Sequence, residues 1–196
     1  MELTQWLPIL QLWGGSFYLA NKIFFSLVER TQGKAWKERF EIAAWGIYVF
    51  GLPPWVVILA HESNWIATFL EAAGLPAMII GLVNALKRTR AEEPAWLRWL
   101  ARVAIGFGLF VSIYDKGGFG HLTQYLEIGL ALGFLLGTYH RARGRISGYW
   151  WLMLMHLSTG LLLLVQNYDW LAIAQFASLW FVIDAYIHAR RATMHK

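Results

Sequence analysis

The 196-residue sequence predicts an all-α integral membrane protein with seven transmembrane helices. Three observations carry this expectation. The chain is 58% hydrophobic and only 15% charged, where a soluble domain carries about a quarter charged residues. Seven apolar runs can be placed, near 6–28, 41–60, 65–86, 95–114, 121–140, 147–166 and 170–188. Each approaches the roughly 20 residues that span a hydrocarbon core. The links between runs alternate between Lys/Arg-rich and Lys/Arg-poor. The runs are too long and too continuously apolar for barrel strands, which alternate over about ten residues.

The alternation fixes a topology. The first link holds Arg30, Lys34, Lys37 and Arg39, and the second, around Ser63, holds no basic residue. Lys87, Arg88 and Arg90 follow in the third, and Lys116 alone in the fourth. Arg141, Arg143 and Arg145 fill the fifth, the sixth is empty, and the tail carries Arg190, Arg191 and Lys196. Basic loops stay cytoplasmic, so the N-terminus is expected outside and the C-terminus inside a cytoplasmic (inner) membrane. The net charge of +5 is spread over these loops. Topology accounts for it, with the lipid bilayer as partner and no nucleic acid. With no cysteine there is no disulfide, iron–sulfur cluster or thiolate metal site. Homo-oligomerisation is left open.

The first run lacks a basic leader and contains Gln11, Gly14, Gly15 and Asn21, so it reads as a retained helix and not a signal peptide. Lys22, in its inner part, is expected to snorkel to the cytoplasmic surface. The second run contains Gly51-Leu52-Pro53-Pro54, which should kink or break it near the outer third. Carbonyls freed there need protein or a water-lined cavity around them. Pro76 marks a second bend, in the third run. The fifth run reads Gly129-x3-Gly133-x3-Gly137, a small-residue stripe suited to close helix packing. The sixth holds His156 near its middle, followed by Ser158 and Thr159. Trp6, Trp65 and Trp170 open outer ends, and Trp96, Trp99, Trp150 and Trp151 sit near inner ends, as headgroup belts require.

An internal repeat is visible. His61-Glu62-Ser63-Asn64-Trp65 and Gln166-Asn167-Tyr168-Asp169-Trp170 are both polar links that run into an apolar helix ending in basic residues. The two Trp residues are 105 positions apart, with Glu71 following one and Gln175 the other. The expected organisation is two parallel three-helix repeats, 1–90 and 119–196, joined by a connector helix within 91–118. Parallel repeats are a known transporter architecture.

Four polar groups sit five or six residues inside the outer ends of the outside-to-inside helices: Gln11, Glu71, Glu127 and Gln175. At 1.5 Å per residue they lie about 8–9 Å below the outer surface. Facing a common centre, they would form one layer. Intramembrane carboxylates are costly enough to mark a ligand or ion site, whereas a carboxamide also serves as interhelical glue. Asn84, His140 and His188 lie thirteen residues further in. Asp184 is placed to pair with His188 or Tyr139, and His156 is the deep histidine. There is no HExxH or close histidine cluster, no phosphate-binding loop and no Lys in the last helix for a retinal Schiff base. No metal, cofactor or catalytic residue is expected. His61-Glu62-Ser63 are adjacent and cannot face one another as a triad.

Three helices, a connector and three helices with the N-terminus outside resemble the SWEET-like superfamily of facilitative transporters. Within it, Tyr168-Asp169-Trp170 followed by Ala174-Gln175, Tyr186 and basic residues is similar to the Pnu-type vitamin transporters. Phe69-Leu70-Glu71 through Lys87-Arg88 is similar to their glutamate- and glycine-containing repeat start. Ala174 stands where that family has Leu. The resemblance implies facilitated diffusion of a small vitamin or nucleoside-like solute, of the nicotinamide riboside or thiamine class, by alternating access. A cationic ring would find carboxylates and aromatic faces in Glu71, Glu127, Gln175, Trp180 and Tyr186, with cation–π contact contributing about 2 kcal/mol when desolvated. Gln11, His156 and Asp184 complete the expected solute-binding set, and the proline bends are candidate hinges. Two alternatives stand beside it. One is an intramembrane enzyme or assembly protein using Glu127, His156 and Asp184 on a lipid-like substrate. The other is a small-sugar carrier.

Overall fold

A computed structural model describes residues 5–89, 94–142 and 145–194. Arg90, Arg143 and Lys196, part of the loop alternation, lie outside the described residues, as do the side chains of Tyr139 and Arg141. The described residues form seven helices: α1 (Leu7–Arg30), α2 (Lys34–His61), α3 (Trp65–Lys87), α4 (Ala95–Asp115), α5 (Leu122–Ala142), α6 (Gly148–Val165) and α7 (Asp169–Met194). Five of them, α2, α3, α4, α6 and α7, are long and apolar enough to cross a membrane. α5 runs Leu122–Ala142, and its fully described part, Leu122–Thr138, is apolar. α1 has the length, but Gln11, Asn21, Lys22 and Glu29 dilute its apolarity. The chain is a multi-pass helical membrane protein.

Two boundaries differ from the sequence expectation. α2 begins at Lys34, about two turns early, so the basic residues expected in a loop are helical. Those turns are held laterally: Arg39 lies 5.1 Å from the Trp36 ring centroid, and Arg88 reaches Glu38 at 3.2 Å. The Pro53-Pro54 pair does not break α2, which is helical throughout. Each proline frees the carbonyl four residues before it. The segment is supported because α1 covers it. Pro54 lies against Gly14, Trp55 Nε1 donates to the Gly14 carbonyl at 3.1 Å, and Gly51 sits on Phe17. Pro76 is likewise inside a continuous α3.

Neighbouring helices run in the order α1, α2, α3, α5, α6, α7 and back to α1, with α4 against α3. That order is unchanged when α1–α3 and α5–α7 are exchanged, although the α3–α5 seam is thinner than the α1–α7 one. α4 presents Trp99, Val103, Phe107 and Phe110 outward, as a helix bathed in lipid would. The glycine stripe of α5 packs on α6: a Cβ on Gly133 would stand 2.5 Å from the Met155 amide, and one on Gly137 2.8 Å from Leu152. Small residues let these two backbones approach closely. Arg30, Lys34, Lys87 and Arg190 gather at one end of the bundle, the basic end; the links 62–64, 116–121 and 166–168 form the far end.

Candidate functional site

Between the helices of the ring lies a cavity of about 690 Å³. Its walls come from α1, α2, α3, α5, α6 and α7, always from the half of each helix nearer the basic end. It runs from Glu29, Thr89 and Thr138 at the helix ends to Lys22, Tyr48 and His156 in the middle of the bundle. Thr89 and Thr138 are exposed while His156 is fully buried, so the cavity opens at the basic end and is blind at the other. Trp45, Phe134, Phe181 and Leu152 make most of the wall apolar.

Its floor is a polar network contributed by five helices. Tyr18 and Lys22 share one face of α1 at i, i+4. The Lys22 ammonium stands 4.6 Å from the Tyr18 ring centroid and 5.0 Å from that of Tyr48 on α2. Glu71 of α3, 7% exposed, is the opposite charge that faces Lys22. One of its carboxylate oxygens has no hydrogen-bond partner. Tyr18 meets the His156 ring edge-on at 5.9 Å. His156 Nδ1 lies 2.7 Å from Gln175 Oε1 of α7, and Nε2 is buried with no partner. The other side of the Gln175 amide faces the Tyr18 hydroxyl. Charges placed this far from bulk water need compensation; Lys22 and Glu71 attract each other through space, with no direct ion pair between them.

The far end is closed by two side-chain pairs. Asn64 and Gln166 exchange amide hydrogen bonds at 2.9 and 3.0 Å, and the Tyr168 hydroxyl donates to Glu62 at 2.6 Å. Burial, with the Glu62 carboxylate beside it, holds the Tyr168 phenol well above its ordinary range, so it remains a donor. Both links have three residues with a left-handed residue in the middle, Ser63 (φ 54°) and Asn167 (φ 61°). α3 begins at Trp65 and α7 at Asp169, 104 positions later. The same shift carries Glu62 to Gln166 and Asn64 to Tyr168, so each hydrogen-bonded pair maps onto the other.

The expected solute-binding residues are distributed over five places. Glu71, His156 and Gln175 meet in the floor. Glu127 does not join them: it is fully buried, and its Oε2 accepts from the amides of Ile66 (2.9 Å) and Ala67 (3.2 Å), with Lys116 3.7 Å from Oε1. It caps the N-terminus of α3, where donors left without intrahelical partners and the helix dipole both favour an anion. Gln11 is half-buried on α1, eleven residues from Lys22 and so about 16 Å away along the axis. Asp184 is at the basic end, bound to Ser26 at 2.8 Å and to Arg30 at 2.6 and 2.8 Å, with His188 at 3.5 Å. Tyr186 packs on Tyr149 and Trp150 nearby. Trp180 is 68% exposed and faces away from the bundle. The expected single layer of Gln11, Glu71, Glu127 and Gln175 is thus not formed, because Glu127 is drawn to the free amides of α3. Glu127, His156 and Asp184 do not converge in one cleft either.

Lys22 is the main residue that the sequence misplaced. Snorkelling was expected, but the side chain turns inward, where two tyrosine faces and a carboxylate compensate it better than a headgroup layer several turns away. Tyr18 at i−4 was the available signal. Gln124 was also passed over as a fixed element. Fully buried, it accepts from the amides of Gly120 and His121 and donates to Ser112 and the Gly118 carbonyl, which ties the start of α5 to α4.

No family model matches the chain, and no curated protein or solved structure is significantly similar to it. Function has to be argued from the cavity. Among the described residues no cluster of three or more His, Asp or Glu is arranged to hold a metal ion.

Proposed function

We propose that the protein is a carrier that moves a small vitamin or nucleoside-like solute down its gradient by alternating access. One observation carries this: a cavity about 690 Å³ in volume penetrates to the middle of the bundle from one end and stops at a buried polar floor. Drug-sized ligands occupy pockets of about 300–1,000 Å³ that are mostly apolar with a few polar groups. Beyond the floor the path is shut by Asn64–Gln166 and Glu62–Tyr168, which join the α2–α3 link to the α6–α7 link. A carrier open to one side needs this combination. In this reading the basic end is cytoplasmic by the distribution of Lys and Arg, and the cavity is the entrance of an inward-open carrier in an inner membrane. Resemblance to the Pnu-type vitamin transporters supports the same reading. An intramembrane enzyme would need its acid and base groups together, and Glu127, His156 and Asp184 are apart.

Purified protein in liposomes should take up labelled solute saturably, tested first with nicotinamide riboside, thiamine and uridine. Uptake should fall at least tenfold in Glu71→Gln. Liposomes that take up none of the three above the protein-free rate would refute the carrier assignment for this class of solute.

A further inference from the structure

The floor of the cavity carries a specific hydrogen-bond code. His156 is completely buried, and its Nε2 has no partner, yet the residue lines the cavity. Buried ring nitrogens are rarely left unpaired, so this one is reserved for something that enters. Its role follows from its other side. With the Gln175 amide oxygen 2.7 Å from Nδ1, and the rest of that amide turned to Tyr18, Nδ1 carries the proton and Nε2 offers a lone pair. Lys22 supplies the complementary function. Its ammonium also lines the cavity and is a donor only. One acceptor and one donor are therefore presented to the same entering molecule.

The charge at this point is decisive. Glu71 could attract a cationic ring, but it is not among the residues that line the cavity, and its charge acts on Lys22. A solute reaching the floor meets the ammonium first. Aromatic walls at Trp45, Tyr48 and Phe134 suit a planar ring, and the carboxylates that line the cavity, Glu29 and Glu41, lie toward its open end while Lys22 and His156 lie at its floor.

We propose that the floor binds a neutral planar ring through a lactam-type edge, its N–H donating to His156 Nε2 and its C=O accepting from Lys22 Nζ, so that uncharged solutes are preferred to cationic ones. The inference rests on the carrier reading, and it reverses the charge preference that the sequence alone implied. Lys22 and His156 are the specificity-determining groups, and Glu71 and Gln175 are positioning residues that hold them.

Three probes separate the possibilities by direct binding to detergent-purified protein, followed by titration calorimetry. Uridine presents a neutral N–H/C=O edge, 3-methyluridine lacks the N–H, and thiamine is a cation. Uridine should bind at least tenfold more tightly than either of the others, since a site built to receive an N–H strongly rejects the analogue without it. His156→Phe should erase the difference between uridine and 3-methyluridine, and Lys22→Met should weaken uridine while improving thiamine. The wild-type comparison needs no variant and stands even if a substitution impairs folding. Thiamine binding as tightly as uridine, methylation without effect, or no uridine binding at all would overturn the inference. Uptake in liposomes distinguishes this from failure of the carrier itself. Transport of thiamine without preference for uridine leaves a carrier with a different code, whereas the expected binding pattern without uptake leaves the site and removes the carrier.

Discussion

Breaking the far-end closure should open the protein from the other side. Asn64 is fully buried and exchanges two neutral amide hydrogen bonds with Gln166. Each is worth about 1 kcal/mol net, so Asn64→Ala removes about 2 kcal/mol from the closed arrangement. In an open arrangement both groups are hydrated and lose nothing. The closed-to-open ratio should therefore fall about 30-fold, since 1.4 kcal/mol is tenfold. The chain has no native cysteine, so accessibility can be read from a single introduced thiol. Ala172 lies one turn inside the closure on α7 and is completely buried. Ala172→Cys should react slowly with a water-soluble maleimide, and Asn64→Ala in that background should raise the rate about 30-fold. A thiol at Ala77, on the cavity wall, should at the same time become slower to react. An unchanged rate at position 172, in protein that still elutes as one species, would show that these amides do not hold the far end shut.

Three further substitutions, two of them also combined, test the parts that support the site. Glu127→Ala deletes a carboxylate that caps α3 through two amide hydrogen bonds; at about 1.5–3 kcal/mol for each charged bond, thermal unfolding in detergent should show a loss of about 3–6 kcal/mol, and a loss under 1 kcal/mol would contradict the capping role. Lys22→Met or Glu71→Gln alone should each cost about 3–5 kcal/mol by stranding the other charge, and the double variant should recover most of that; additive losses would mean that the two do not compensate each other.

Much of the fold was legible because its signals are local. Hydropathy marked the seven helices, and the Gly129/Gly133/Gly137 spacing marked the face of α5 that meets α6. The polar positions Glu71 and Gln175 were marked by their cost in an apolar run. The destinations of individual side chains were less legible, because they depend on partners distant in sequence. Glu127 is held by amides some sixty positions earlier. Lys22 turns inward toward Tyr48 and Glu71, neither of which its own helix reveals. Trp180 has the composition of a binding residue, yet helix phase alone puts it outside. The proline pair in α2 shows the same limit in the backbone: of the kink or break expected from Pro53 and Pro54 the break does not occur, and the segment packs on Gly14 and Phe17 of another helix.

The shift of 104 positions explains how a symmetric closure and an asymmetric floor coexist. It exchanges the two hydrogen-bonded pairs at the far end, so the α2–α3 and α6–α7 links contribute equivalent bonds to the closure. It also carries Glu71 onto Gln175, both buried, one acting on Lys22 and the other bonded to His156. There the equivalence ends, because one position carries a charge that Lys22 requires and the other an amide that orients His156. Rocking motion benefits from matched halves, but a recognition site made of two identical groups could not present a donor on one side and an acceptor on the other. Substituting Gln175 by Glu would restore the match chemically and place a second carboxylate beside His156. A carboxylate there accepts from Nδ1 as the amide oxygen does, so Nε2 keeps its lone pair and discrimination between uridine and 3-methyluridine should survive. Gln175→Met, in contrast, removes the acceptor that fixes the Nδ1 proton and should weaken that discrimination, with the far-end closure intact in both.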